Sequence, residues 1–226
     1  MRKNDFLRIT ANFQTPVICD DRLPLDGIIF YQVMRERYGF ESSTQAGVAA
    51  LADGVDKRDW MPFDVHYKNV NGENFWYYAC SFARWVGTVA EGRDHWVKRF
   101  DQQFSDVIDF QGKRGKIVTA NGKYKGYRMP VFTRHALAAR WYCVGDRREL
   151  ERLLPHVQSV GKKTSQGYGV VRDWQIERWH ADWSTRGPQG LMRALPADTG
   201  VKVGFRPSYW FAPNQAICEM PADYSD

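Results

Sequence analysis

Residues 6–14, FLRITANFQ, alternate without a break: Leu7, Ile9, Ala11 and Phe13 on one side, Arg8, Thr10, Asn12 and Gln14 on the other. A period of two predicts a half-buried strand. Pro16 and the pair Asp20-Asp21 end it. In LDGIIFYQVMRERYG the period becomes helical, with Leu25, Ile28, Ile29 and Val33 on one face and Gly39 as a stop. Residues 41–72 hold to neither period, and their glycines and small residues predict irregular structure. NFWYYACSF, 74–82, is apolar and aromatic enough for a central strand. Residues 83–109 predict a helix around Trp96 to Phe104.

GKIVTANGKYKGYRMPVF places Asn121-Gly122 between two strand-like runs, a strong hairpin signal because both turn positions need positive φ. A two-residue turn there sets Ala120 opposite Lys123, Val118 opposite Lys125 and Lys116 opposite Tyr127. Alternation then collects Lys116, Lys123, Lys125 and Tyr127 on one face. Three cations and a ring make a poor core and a good grip on a phosphate backbone. LAARWYCVGD predicts the next strand. DRRE, 146–149, has capping-box spacing with Asp146 as the cap. Leu150, Leu153, Leu154 and Val157 then form a helical stripe that Pro155 keeps short. Val170, Trp174 and Ile176 alternate with Val171, Asp173, Gln175 and Glu177 in a last strand. Strand-helix-strand, an insertion, then strand-helix-strand is the split β-α-β order of an α+β, ferredoxin-like or RRM-like domain. It divides the chain into a domain over 1–179, with an insertion at about 83–134, and a 180–226 extension packed across it.

Composition narrows the classes. With 226 residues, 43% hydrophobic and 26% charged, the chain has the material for one soluble domain. No run approaches the roughly 18 apolar residues of a membrane span, and MRKNDFLRIT lacks a signal-peptide core. Cys19, Cys80, Cys143 and Cys218 are far apart, which favours reduced, mostly buried thiols in a cytoplasm over a zinc site. The net charge of +6 is modest, but its distribution is not. From Phe110 to Gly145 no acidic residue occurs, while Lys113, Arg114, Lys116, Lys123, Lys125, Arg128, Arg134 and Arg140 are basic. Tyr124, Tyr127 and Phe132 interleave with them, as stacking surfaces for bases would.

SVGKKTSQGYGVV, from Ser159, puts Gly161, Lys162, Lys163, Thr164, Ser165, Gln166, Gly167, Tyr168 and Gly169 just before a strand. It is no P-loop, since Lys163 follows Gly161-Lys162 and His156 stands where the first glycine belongs. A dinucleotide fingerprint fails at Arg172, and both nucleotide motifs open a helix rather than a strand. A plain turn and a nest for an extended phosphodiester remain. Nine residues of this composition are more than a plain turn needs.

His66, His95, His135, His156 and His180 show no metal-ligand spacing, and no G-x-S-x-G element is present. No cofactor is expected. His156 is near enough to the loop to act on a ribose 2′-OH, yet it reads more simply as a helix-end residue, so no catalysis is expected.

The N-terminal strand, LDG (Leu25, Asp26, Gly27) and the glycine-rich GKKTSQGYGVV resemble the RAMP superfamily of CRISPR-associated proteins. With SQGYG, LMRALP and RPSYW added, the chain is most similar to the five-type backbone subunit of type IV effector complexes, over about residues 6–218. Pro24 and Leu25 stand where many RAMP proteins carry a histidine. The resemblance implies a modified RRM-like fold with an inserted basic β-hairpin thumb around Lys116 to Phe132. It implies a subunit that holds the 5′ repeat-derived handle of a guide RNA and caps the filament of backbone subunits. Partners would be the guide RNA, the backbone filament subunit and a large-subunit-like protein, with no membrane. The glycine loop and Lys113, Arg114, Lys116, Lys123, Lys125, Tyr127 and Arg128 would be the RNA-binding residues. A RAMP-type endoribonuclease processing precursor RNA and a protein-binding adaptor without RNA contact are the alternatives.

Overall fold

The computed structural model describes residues 4–19, 22–39, 58–87, 89–101, 118–121 and 124–222. In chain order the strands are β1 (Asp5–Phe13), β2 (Val65–Val70), β3 (Glu73–Tyr78), β4 (Arg84–Val86), β5 (Ala90–Lys98), β6 (Tyr127–His135), β7 (Ala138–Gly145), β8 (Val171–Arg178), β9 (Arg186–Gly187), β10 (Gly190–Leu191), β11 (Leu195–Gly204) and β12 (Gln215–Glu219). The helices are α1 (Leu25–Tyr38) and α2 (Arg147–Leu153). The chain is α+β, with mostly antiparallel strands and few helices.

The main sheet has the order β4-β7-β1-β8, and every neighbouring pair is antiparallel. β1 lies inside it, with Ile9 opposite both Trp141 and Ile176. Its alternation has the expected consequence: Leu7, Ile9 and Ala11 are buried in one core with Leu25 and Ile29 of α1 and Leu150 and Leu153 of α2. Each large side chain sealed this way contributes about 1.5–3 kcal/mol. α1 ends at Gly39, whose φ is 77° and whose N–H donates to Arg35 O. α2 begins on Asp146, whose carboxylate accepts from the N–H groups of Arg148 (3.0 Å) and Glu149 (3.2 Å). The box is only half closed, because Asp146 N–H donates to Pro62 O and Glu149 pairs with Arg152 instead. Pro155 falls in a single 3-10 turn, Leu154–His156.

Four expectations are corrected. Residues 65–70, expected to be irregular, are β2. It turns tightly through Asn71 (φ 51°) and Gly72 (φ 86°) into β3, with Val70 opposite Glu73. The 74–82 run is no central strand: β3 pairs with β2 in a separate hairpin, and the rest of the run meets the main sheet through an isolated bridge from Cys80 to Cys143 of β7. Trp96 lies in a strand, not a helix: β5 pairs with β6 along its length, and cross-strand bonding outweighs weak local helical character. Tyr127 sits opposite Lys98, and Lys116 and Lys123 lie outside the described residues. Lys125 precedes β6 outside any strand, so alternation cannot place it beside Tyr127.

The C-terminal segment lies over the outer face of the main sheet. Arg84 donates to Gln189 Oε1 (3.2 Å), and Phe82 N–H donates to Met192 O (2.8 Å). Tyr142 packs against Trp179 and Trp183 at 5.5 and 5.0 Å between ring centroids. A second core of Tyr77, Phe82, Leu191, Leu195, Phe205 and Cys218 joins β3 to β11 and β12.

Candidate nucleic-acid interface

An RNA-binding sheet would offer its open face, but here the C-terminal segment covers it, leaving Arg84 and Tyr142 each 5% exposed. The glycine loop stands clear of that cover. It hangs between paired ends, with Ser159 bridged to Val170. Gly169 could be no other residue: at φ 66°, a Cβ would meet Val160 O at 1.9 Å. Its N–H donates to Pro16 O and its carbonyl accepts from Val160 N–H. A 3-10 turn, Thr164–Gln166, lies between Lys163 and Gly167, both left-handed. Lys162, Thr164, Ser165, Gln166 and Gly167 are exposed at the tip, and a Cβ on Gly167 would meet nothing within 4 Å.

On one side the loop rests against the β5–β6 ribbon. The Lys163 ammonium lies 3.6 Å from the centroid of the Trp96 ring. Trp96 meets Tyr127 edge-on at 5.1 Å, and Lys98 lies 5.8 Å over Tyr127. The result is a ladder of two rings with a cation at each end. Tyr168 donates its hydroxyl hydrogen to Asp94, which holds the Asp94 carboxyl below the usual carboxylate range and pushes the Tyr168 hydroxyl up.

On the other side, a groove of about 700 Å³ separates the loop from α1. Tyr31 and Arg35, one turn apart on α1, face His156, Lys162, Thr164 and Ser165 across it. Leu23 and Val160 are buried beneath. Tyr31 is 55% exposed, a bare ring at the rim of a cationic cleft. Polar backbone, cations and accessible rings are what an extended phosphodiester with unstacked bases requires.

The expected site residues divide accordingly. All nine loop residues from Gly161 to Gly169 are together, with Gly161 and Gly169 shaping the backbone and Lys162 and Lys163 turned to opposite sides. Tyr127 joins the ladder. Arg128, opposite Val97, is on the other face of the ribbon, and Lys125 is exposed before β6. Lys113, Arg114, Lys116 and Lys123 lie outside the described residues. Trp96, Asp94, Tyr31 and Arg35 were missed. The i, i+4 spacing of Tyr31 and Arg35 on the polar side of α1 was a usable signal; the ribbon pairing that presents Trp96 was not legible. Among the described residues no cluster of His, Cys, Asp and Glu could hold a metal ion, and no helix is long and apolar enough to cross a membrane.

LDG, LMRALP and RPSYW meet away from the loop tip. Asp26, buried at the start of α1, accepts from Gly27 N–H (2.9 Å) and Tyr209 OH (2.6 Å), and lies 3.4 Å from the Arg193 guanidinium. Arg193 also donates to the carbonyls of Tyr78, Cys80 and Phe205. Burial pushes the Asp26 carboxyl up, against the pull of the Arg193 charge, the Tyr209 hydroxyl and the Gly27 N–H. These motifs thus tie the C-terminal segment to α1 and β3.

No curated protein matches. A chain in the cryo-EM structure of the Type III-B Cmr-beta bound to cognate target RNA is similar at TM-score 0.40 and 10% identity, over 78% of this chain and 61% of that one. A family model, CRISPR type IV associated protein Csf3, matches residues 5–221. That span takes in the glycine loop together with the Asp26, Arg193 and Tyr209 segments, and the chain belongs to the Csf3 family of CRISPR type IV associated proteins.

Proposed function

We propose that this protein is a guide-RNA-binding subunit of a class 1, type IV-like effector complex in the cytoplasm. It holds the 5′ repeat-derived handle and caps the filament of backbone subunits, alongside a large-subunit-like protein. The observation that carries the reading is the glycine loop between a cationic groove and a cation–aromatic ladder, with Lys162 on one side and Lys163 on the other. Two strand-helix-strand units, β1-α1-β4 and β7-α2-β8, interleave in the order β4-β7-β1-β8, which supports a ferredoxin-like, RRM-like scaffold. The covered sheet face supports the loop, rather than the sheet, as the RNA contact. The test is binding of repeat-derived RNA across a salt series. Affinity should fall steeply as each neutralised phosphate releases counterions. Salt-independent binding, or none, sinks the reading.

A second reading, metal-independent cleavage of precursor RNA, is favoured by His156, which lines the groove across from Tyr31. General acid–base cleavage needs two positioned groups and a cation. His156 is exposed and holds no hydrogen bond among the described residues, so we assign binding without catalysis. Incubation of labelled repeat RNA with the protein in EDTA, beside a His156→Ala variant, decides. Specific cleavage by the parent, lost in the variant, establishes the nuclease.

A further inference from the structure

A second meeting of rings and cations lies at the other end of the main sheet. β1 spans the distance: Phe13 pairs with Val171 just after the glycine loop, while Asp5 pairs with Gly145, which is bridged to Phe63 just before β2. Its nine residues, at about 3.3 Å each, set the two ends roughly 27 Å apart. At this far end Tyr67 is 54% exposed on β2, the unpaired edge of its hairpin. Arg58 donates to the Tyr67 hydroxyl at 2.9 Å. Beside it, Trp76 carries the Arg206 guanidinium at 4.2 Å from its ring and that of Arg58 at 5.9 Å. Tyr67 also lines an open depression of about 530 Å³, with His66, Thr185, Asp182 and Arg186, the last paired with Glu219 at 3.6 Å.

We infer that this end is a second nucleic-acid site, where a nucleotide of single-stranded RNA stacks its base on Tyr67. The inference rests on the RNA-binding reading above. An exposed ring beside both a depression with polar groups and the guanidinium groups of Arg58 and Arg206 offers the parts that hold a nucleotide. The base lies on the ring, and its edge or ribose meets Thr185 and Asp182. The phosphate turns towards Arg58 and Arg206. Asp182, which accepts Ser184 N–H at 2.8 Å and sits 3.9 Å from His66, would repel a phosphate but accepts from amino and hydroxyl groups.

Arg206 supports the phosphate side. The guanidinium is half-buried, and its bonds go to neutral acceptors: Asn214 Oδ1 (2.7 Å), Trp76 O and Pro213 O (each 3.3 Å). Among the described residues no carboxylate pairs with it. Burial, with the like charge of Arg58 nearby, lowers its pKa. A planar cation held beside a second cation on one indole is suited to an anion from outside.

The test uses the full chain and an RNA of about 16 nucleotides, at the long end of single-strand site sizes, carrying 4-thiouridine at successive positions. Crosslinks should map to the peptide bearing Tyr67 from nucleotides distinct from those that reach the glycine loop. Tyr67→Ala should weaken binding about tenfold, the size of one lost base–ring stack, while Tyr67→Trp should bind like the parent. The double variant Lys162→Ala, Lys163→Ala reports on the loop independently. If it weakens binding while Tyr67→Ala does not, the loop reading stands and this inference is overturned. If neither weakens binding, the RNA reading fails and this one with it. If Tyr67→Ala leaves RNA affinity intact but releases effector subunits, the surface is a protein interface and the inference is wrong.

Discussion

Asp26 and Arg193 are 167 positions apart in the chain and form an ion pair at 3.4 Å, with each side chain 1% exposed. Removing the carboxylate leaves a guanidinium charge in the core with no opposite charge. Asp26→Ala should lower stability by about 3–5 kcal/mol, read as a fall in the urea midpoint. Replacing both partners, Asp26→Leu with Arg193→Met, should recover part of the loss. A single variant as stable as the parent would show that the pair holds nothing together.

The glycines of the loop are not equivalent. Gly167→Ala places a methyl in open space at φ 87° and should cost about 1–2 kcal/mol of left-handed strain. Gly169→Ala drives a Cβ against Val160 O and should cost more than about 2 kcal/mol. Thermal denaturation of the two variants gives the order. Equal melting temperatures would contradict the close approach of Gly169. Only Gly167 is a usable probe of RNA contact, because loss of binding at Gly169 would report a distorted loop.

The two lysines should differ as well. Lys162→Ala should weaken RNA binding and lower the salt slope by about 1, the mark of one phosphate contact. Lys163 lies on the Trp96 ring, so Lys163→Ala and Trp96→Ala should be coupled, by about 0.5–2 kcal/mol. A double-mutant cycle in denaturant measures this. Additive effects would mean that the stack does not form in solution.

The Tyr168–Asp94 contact gives a signature in pH. Asp94 has its pKa depressed in the fold, so its contribution is present above the unfolded value and lost as pH falls through the folded one. Tyr168 has its pKa raised, so its contribution is present below the unfolded value and lost as pH rises through the folded one. The melting-temperature difference between the parent and Tyr168→Phe should therefore be flat around neutrality and shrink at both extremes. A difference independent of pH would exclude the carboxylate as the partner.

Elements with a hydrophobic period of their own were legible. β1, α1, α2 and β8 each carry an alternation or a stripe, β7 is an apolar run buried on both faces, and the glycine loop announced itself by composition. Elements made by a distant partner were not. β5 carries four charged residues in nine and no apolar alternation, and becomes a strand because β6 lies beside it. Asn121-Gly122 drew the hairpin expectation and has residues outside the described ones on both sides, while Asn71-Gly72, in a stretch expected to be irregular, makes a tight turn between β2 and β3. In the candidate site the loop was readable, and so was the i, i+4 spacing of Tyr31 and Arg35, but Trp96 was not, since it reaches the loop only through the pairing of β5 with β6.

Lys162 and Lys163 are adjacent in the chain, yet the first lines the groove and the second lies on the ribbon. A single peptide joins them, and the one before it is moored where Lys162 N–H donates to Ile18 O. Groove and ribbon thus share a partition one residue thick. A push on the ribbon, from whatever docks there, bears directly on the wall of the cleft, and cargo seated in the cleft stiffens the ribbon in return.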